Sequence, residues 1–160
     1  MRRRCYVCAR RARAYVLVHL PPPHPDPHPP SRGAWRVFNP VGEWHADLGD
    51  AHCSARSPVA CALAEKLRKR GLNVVRVSYS ALAPGVVLAP HHGPSNAVVK
   101  LHLGLVIPAG CATLTVAGET REWARGGVLG FDDSFLHSVQ NSCDEERVVF
   151  QVVFDARALL

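Results

Sequence analysis

Between Asn73 and Asp155 the sequence alternates apolar and polar residues in short runs, and this pattern constrains the fold more than any other feature. The runs are rich in valine and are separated by glycine, proline and polar turns, as is typical of β-strands. Strands are predicted at residues 73–82, 86–91, 96–107, 112–117, 120–124, 127–131 and 147–155, with a hairpin turn at Ala117–Thr120. Because no helix separates consecutive runs, a parallel α/β fold is disfavoured. The pattern predicts a mainly β protein, either a sandwich or a rolled jelly-roll barrel.

One helix is predicted before these strands, and ordered structure is expected to begin near Trp35. Ser57-Pro58 resembles a helix N-cap followed by proline at the first helical position. The segment then places apolar residues on one face and ends at a glycine (Val59, Leu63, Leu67 and Gly71). The basic residues of its last turn suit the helix dipole, so they are interpreted as a solvated helix end.

The positive charge of the chain is concentrated at its start. Residues 1–37 hold eight arginines and one acid, Asp26, which leaves 11 of the 19 basic and 12 of the 13 acidic groups for the remainder. Pro21–Pro30 contains seven prolines and favours an extended linker. We therefore predict a disordered arm at 1–33 and a folded domain at 34–160. Nucleic-acid binding is disfavoured because it would rest on charge alone, without an aromatic or sequence motif.

The compartment of the protein stays open at this point. No run of about 18 apolar residues predicts a transmembrane helix. The short apolar stretch Ala14–Leu20 is at the lower limit for a signal segment. Six cysteines are too few for a disulfide-dense scaffold, and Cys5 and Cys8 form a single CxxC without a second pair. Both a cytoplasmic and a secretory location are compatible with these features.

Two histidines in the strand region are candidates for a metal site. His91 and His137 are far apart in sequence, as expected when the ligands of one metal lie on an early and a late barrel strand. Iron sites that use O2 commonly combine two histidines with one carboxylate. The carboxylate should follow His91 by two residues, but that position holds Gly93. On residue chemistry alone, structural histidines are favoured over ligands.

Three sequence blocks change this interpretation. Pro90–Asn96 (PHHGPSN), Lys100–Pro108 (KLHLGLVIP) and Phe131–His137 (FDDSFLH) resemble motifs of the aspartyl/asparaginyl β-hydroxylase family. Arg147 follows the third block by ten residues and resembles the distal arginine of that family. The resemblance extends over about 35–155, which is most of the chain.

The resemblance implies a double-stranded β-helix, a cupin-like jelly roll, with one or two flanking helices. It also implies that iron is held by two histidines without a carboxylate, so Gly93 agrees with the pattern. His91 and His137 are then the catalytic iron ligands, and 2-oxoglutarate and O2 are co-substrates. Four further residues are implied in binding 2-oxoglutarate: Ser80, Lys100, His102 and Arg147. One of Asp132 and Asp133, which are close to His137 in sequence, is expected to hydrogen-bond an imidazole or a strand amide.

The activity that the resemblance implies is hydroxylation of the β-carbon of aspartate or asparagine in a protein or peptide. The alternative is a weakened or inactive member that acts as a metal-binding or interaction module. Lys100 favours this alternative, because the family usually has arginine there and lysine lacks the planar guanidinium. If the protein is secretory, Cys53 and Cys61 are candidates for a disulfide.

Overall fold

The structure is a computed structural model that describes residues 35–41 and 57–159. Its elements are β1 (Trp35–Val41), α1 (Pro58–Lys69), β2 (Val74–Leu82), β3 (Val87–His91), β4 (Val98–Val106), β5 (Ala112–Val116), β6 (Glu119–Glu122), β7 (Val128–Asp132), β8 (His137–Asn141), β9 (Arg147–Asp155) and a short 3-10 helix (Ala156–Leu159). The predicted arm at 1–33 lies outside the described residues. Within the described ranges, no helix is long and apolar enough to cross a membrane.

The strands form two antiparallel sheets, with the orders β1-β2-β9-β4-β7 and β3-β8-β5-β6. From β2 onward the chain passes from one sheet to the other at every connection except the β5–β6 hairpin. Buried residues of both sheets share one core, as the contact group that includes Leu82, Leu114 and Val149 shows. This interleaving is that of a double-stranded β-helix, so the predicted mainly β jelly-roll fold with a flanking helix is confirmed.

The larger sheet has two different faces because strand side chains alternate. On β9, Val152 and Phe154 pack with Ala60 and Ala64 of α1 in a second apolar cluster. The intervening side chains, including that of Gln151, lie on the other face, toward the interior of the barrel. The helix therefore covers one face of the sheet, and polar side chains such as that of Gln151 lie on the other face.

The helix differs from its prediction at two points. Pro58 occupies the first turn as expected, but Ser57 makes no side-chain cap bond; its Oγ lies 3.2 Å from Tyr79 Oη instead. Val59 is 78% exposed, whereas Ala60 and Ala64 form the buried face. The small side chains lie innermost because they allow the helix to approach the sheet closely.

Strand β8 is absent from the predicted set because its sequence, HSVQN, contains a single aliphatic residue. It becomes a strand through pairing on both sides, with β3 and with β5. The β5–β6 hairpin is present, but Glu119 belongs to β6, so the turn consists of Ala117 and Gly118 at φ 49° and 83°. Such positive φ values are typical of two-residue hairpin turns.

A disulfide joins Cys111, just before β5, to Cys143 in the turn after β8, with Cα atoms 5.3 Å apart. This pair was not predicted from the sequence. The candidate pairing from the sequence involves Cys53, which lies outside the described residues.

Candidate metal centre and co-substrate site

His91 and His137 face each other across the β3–β8 ladder. They are direct register partners, and their ring centroids are 4.2 Å apart. Nδ1 of His91 lies 2.7 Å from the carbonyl oxygen of Ala89, and Nδ1 of His137 lies 2.8 Å from that of Phe135. A carbonyl can only accept, so each Nδ1 carries a proton, and a neutral ring in this arrangement has its lone pair on Nε2. This is the tautomer that an Nε2-bound metal requires.

Burial keeps His137 in the neutral form. Its side chain is 3% exposed, and this burial lowers the pKa of His137 to about 4, although Asp133 opposes the shift. The imidazole is therefore uncharged near neutral pH, as a metal ligand must be.

Asp133 supplies a carboxylate at the position where Gly93 lacks a side chain. A Cβ atom at Gly93 would lie 2.0 Å from Asp133 Oδ2 and 2.3 Å from its Cγ. Asp133 Oδ1 is 3.3 Å from His137 Nε2 and 2.6 Å from Lys100 Nζ. The loop after β3 and the turn after β7 are also joined through the main chain, because Gly93 N donates to Asp133 O at 2.7 Å. Gly93 thus creates the space that a carboxylate from the β7–β8 turn fills.

The donor set at this point fits a divalent metal such as Fe(II). Both carboxylate oxygens of Asp133 are buried and lack a partner with hydrogen-bond geometry, although Lys100 is close enough for an ion pair. Across the described ranges, no group of three or more His, Cys, Asp or Glu has metal-site geometry. His91 and His137 are therefore the residues that would hold a metal, with the buried carboxylate of Asp133 close to His137.

Arg147 has the environment of an anion-binding residue. It is 1% exposed, its guanidinium carbon lies 4.7 Å above the Trp123 ring centre, and its Nη1 donates to Ser80 O at 3.4 Å. Its Nε is buried without a partner, and within the described residues no carboxylate forms an ion pair with it. Burial lowers the pKa of Arg147 to about 10, so the group stays charged at neutral pH. A buried cation without a counter-ion is costly unless a ligand supplies the negative charge.

His102 lies between aromatic rings on the inner face of β4. Its ring stacks on Trp123 at 6.0 Å and meets Phe131 edge-on at 5.0 Å. The side chain is 3% exposed, and Nδ1 is buried without a hydrogen-bond partner. Burial is the main cause that lowers the pKa of His102 well below its ordinary value. The ring is therefore neutral, with a polar atom that no described protein group satisfies.

The two other residues implied in co-substrate binding are also on the inner side but already have partners. Ser80 is 2% exposed, and its Oγ accepts a hydrogen bond from Trp35 Nε1 at 3.0 Å. The hydroxyl hydrogen of Ser80 can still donate to a ligand. The ammonium group of Lys100 lies beside Asp133, so its positive charge is on the side of the site that contains His137.

The two aspartates of the FDDSFLH block have different roles. Asp132 Oδ1 accepts from the amide and the hydroxyl of Ser134, at 2.9 and 2.6 Å, and so shapes the turn. Asp133 alone approaches a candidate ligand. The predicted hydrogen bond to an imidazole is not present, because Asp133 lies 3.3 Å from His137 Nε2 without hydrogen-bond geometry, whereas Asp132 accepts from the amide of Ser134 in the turn.

Three residues on the interior side of the barrel were not predicted from the sequence: Arg76, Trp123 and Gln151. For Gln151 the sequence did contain a signal: it lies four residues after Arg147 on β9, so strand alternation puts both side chains on the same face. Trp123 follows β6 outside any strand, so no periodicity places it near the arginine. Arg76 has a buried Nε without a partner.

Comparison with known proteins agrees with the sequence motifs. The family described as aspartyl/asparaginyl beta-hydroxylase matches residues 21–156. The aspartyl/asparaginyl beta-hydroxylase of Mus musculus is 37% identical over 122 residues, which are 76% of this chain and 16% of that protein. The human (Homo sapiens) aspartate beta-hydroxylase domain-containing protein 2 is 49% identical over 130 residues, 74% of this chain and 35% of that protein. The chain thus spans well under half the length of either relative.

Among solved structures, a predicted oxalate decarboxylase from Thermotoga maritima superposes with a TM-score of 0.44 and 15% identity, covering 57% of this chain and 73% of that one. The family match, by contrast, covers most of the sequence and includes every candidate site residue. The chain belongs to the aspartyl/asparaginyl beta-hydroxylase family.

Proposed function

We propose that this chain is an Fe(II)- and 2-oxoglutarate-dependent dioxygenase that hydroxylates the β-carbon of aspartate or asparagine in a protein or peptide. The observation that carries the proposal is the facing of His91 and His137 across β3 and β8, each with Nδ1 beside a main-chain carbonyl and with the buried carboxylate of Asp133 close to His137. This arrangement fits a metal site with open positions for co-substrate and O2.

The residues have distinct tasks in this proposal. His91 and His137 hold the iron, which when bound supplies the oxidation chemistry with 2-oxoglutarate and O2. Arg147 and the hydroxyl of Ser80 bind the far carboxylate of 2-oxoglutarate, since a buried guanidinium is well suited to a carboxylate. His102 donates a hydrogen bond to the co-substrate from Nδ1. The rings around His102 exclude water, which strengthens each of these interactions.

Two cations on the inner face of the larger sheet support an anionic substrate side chain. Arg76 pairs with Val153, and Val153 pairs with Lys100, so the two cations lie in one row of the larger sheet. Their Cα atoms are two strand spacings apart, about 10 Å. Arg76 retains a buried Nε without a partner. Two cations on this face favour a substrate side chain that carries a carboxylate, as aspartate does.

The first experiment tests the iron site. Anaerobic addition of Fe(II) and 2-oxoglutarate to the full chain should produce a metal-to-ligand charge-transfer band. His91→Ala and His137→Ala should each abolish it. His92→Ala is the matched control, because Nδ1 of His92 lies 2.9 Å from Ser134 O and serves the turn. An unchanged band in both ligand variants would show that the iron assignment is wrong.

The second experiment separates turnover from binding. Succinate should form when the loaded protein and O2 meet an Asp- or Asn-containing peptide, and mass spectrometry should find one added oxygen in that peptide. Lys100, whose ammonium group is held at 2.6 Å from Asp133, favours the alternative of a weakened member. A charge-transfer band without succinate or oxidised peptide, across a panel of such peptides, would support that alternative.

A further inference from the structure

A row of three polar side chains crosses the inner face of the larger sheet. Gln151 on β9 is the register partner of Ser78 on β2 and of His102 on β4. Ser78 Oγ donates to Gln151 Oε1 at 2.8 Å, and Gln151 Nε2 lies 2.9 Å from His102 Nε2. Ser78 is 0% and His102 3% exposed, and Gln151 is half-buried between them.

The orientation of the Gln151 amide sets the direction of both bonds. The carbonyl oxygen of Gln151 can only accept, so it takes the hydroxyl hydrogen of Ser78. The amide nitrogen can only donate, so His102 Nε2 must be the unprotonated nitrogen of a neutral ring. The proton of His102 then resides on Nδ1, the buried atom that has no partner in the described part of the chain.

We propose that Gln151, oriented by Ser78, is a positioning residue that fixes His102 as the Nδ1–H tautomer. In this state the ring presents a hydrogen-bond donor to an anionic ligand inside the barrel. The claim that His102 donates to a ligand rests on the proposed function, in which His102 contacts 2-oxoglutarate. Trp123 and Phe131 hold the plane of the ring, but aromatic packing does not decide which nitrogen carries the proton.

The opposite tautomer would have an opposite effect on the ligand. With the proton on Nε2, His102 would turn the lone pair of Nδ1 toward the same space and repel a carboxylate. A buried donor that a ligand satisfies is favourable, whereas a buried acceptor facing an anion is unfavourable. Gln151 thereby contributes to the selection of an anion without touching it.

The first measurement reads the tautomer directly and requires neither iron nor co-substrate. Nitrogen chemical shifts of labelled His102 in the metal-free full chain should show Nδ1 protonated and Nε2 unprotonated. Gln151→Met preserves side-chain length and removes the donor, so a population with Nε2 protonated should appear. Gln140→Met is the matched control, since Gln140 is an exposed glutamine on β8 that bonds Ser142.

The second measurement is the affinity of the Fe(II)-loaded chain for 2-oxoglutarate under anaerobic conditions. Gln151→Met should raise the Kd on the order of tenfold, about 1.4 kcal/mol, while Gln140→Met should leave it unchanged. Ser78→Ala should raise the Kd less. The double variant should be no weaker than Gln151→Met, because Ser78 acts through Gln151. Should Gln151→Met fail to fold, Ser78→Ala provides the same two readouts.

The outcomes are distinguishable from failure of the proposed function. A wild-type ring protonated on Nε2, or a tautomer that Gln151→Met does not change, would overturn the inference. Purely additive effects of the two variants on Kd would overturn the part assigned to Ser78. If the tautomer responds as expected but the wild-type protein binds no 2-oxoglutarate, the positioning role is supported and the proposed function fails.

Discussion

Replacing Gly93 with alanine should destabilise the protein and weaken its metal site at the same time. The new Cβ would lie 2.0 Å from Asp133 Oδ2 and 2.9 Å from Asp133 O. Ordinary contacts of this kind are about 3.4 Å or longer. The Asp133 side chain would have to move by more than 1 Å, although it is 1% exposed and ion-paired with Lys100. Movement there would withdraw the carboxylate from His137.

The expected magnitude combines two opposing effects. Overpacking of a buried position costs about 1–3 kcal/mol. A Gly→Ala change also restricts the unfolded chain and returns about 0.4–1 kcal/mol. Because the overlap is large and involves main chain as well as side chain, we expect a net loss of about 2 kcal/mol. This corresponds to a decrease in Tm of roughly 5–10 °C. Displacing a carboxylate near the ligands should weaken iron binding roughly 10–100-fold.

The assay is thermal or urea unfolding of the metal-free chain, followed by titration with Fe(II) under anaerobic conditions. Gly127→Ala is the control, because its Cβ would meet Ala124 at 3.2 Å, a much milder contact. Gly93→Asp should be the least stable variant, since two carboxylates would compete for one space. Adding Asp133→Ala to Gly93→Asp should recover iron binding, because the carboxylate then comes from the segment just after His91. A Gly93→Ala protein with wild-type stability and iron affinity would refute the close approach of Asp133.

Three further outcomes are expected. Arg147→Met should weaken 2-oxoglutarate binding roughly 10–100-fold without changing Fe(II) binding, because a hydrogen-bonded charge pair contributes about 1.5–3 kcal/mol; anaerobic titration measures both. The metal-free protein should lose stability as the pH falls from about 6.5 to 4, because burial lowers the pKa of His137 to about 4 and the unfolded chain binds the proton first. The loss reaches about 3 kcal/mol and should be measured by urea unfolding at successive pH values. Reduction of Cys111–Cys143, which closes a separation of 32 residues, should lower the free energy of unfolding by about 3–4 kcal/mol, read as a lower Tm with reductant.

Each of these outcomes has a matched control. Arg121→Met removes an exposed arginine paired with Glu119 and should not change 2-oxoglutarate affinity. In a His137→Leu variant the dependence of stability on pH should be shallower, and a slope equal to that of wild type would exclude the buried imidazole as its cause. Cys143→Ser should lower the Tm as reduction does, and reductant should have no further effect on that variant.

The local pattern of the sequence determined the class of fold and the identity of the family. Alternation of apolar and polar residues is a property of neighbouring positions, so the valine-rich strands could be read without a structure. The same holds for Pro58 at the first turn of the helix. The motif blocks are also local. They identified His91 and His137 as candidate site residues, together with Arg147, which follows the third block by ten residues.

Only the tertiary structure decided which distant residues meet. Strand β8 is defined by its two partners, and its own sequence carries little strand signal. Gln151 reaches His102, and Asp133 fills the space beside Gly93, through pairing and close approach of segments far apart along the chain. The physical reason is that a strand's alternation fixes which face a side chain occupies, whereas the register with neighbouring strands fixes what it touches. The sequence thus places two histidines on barrel strands, and the fold supplies the carboxylate, the arginine's aromatic support and the hydrogen-bonded row around them.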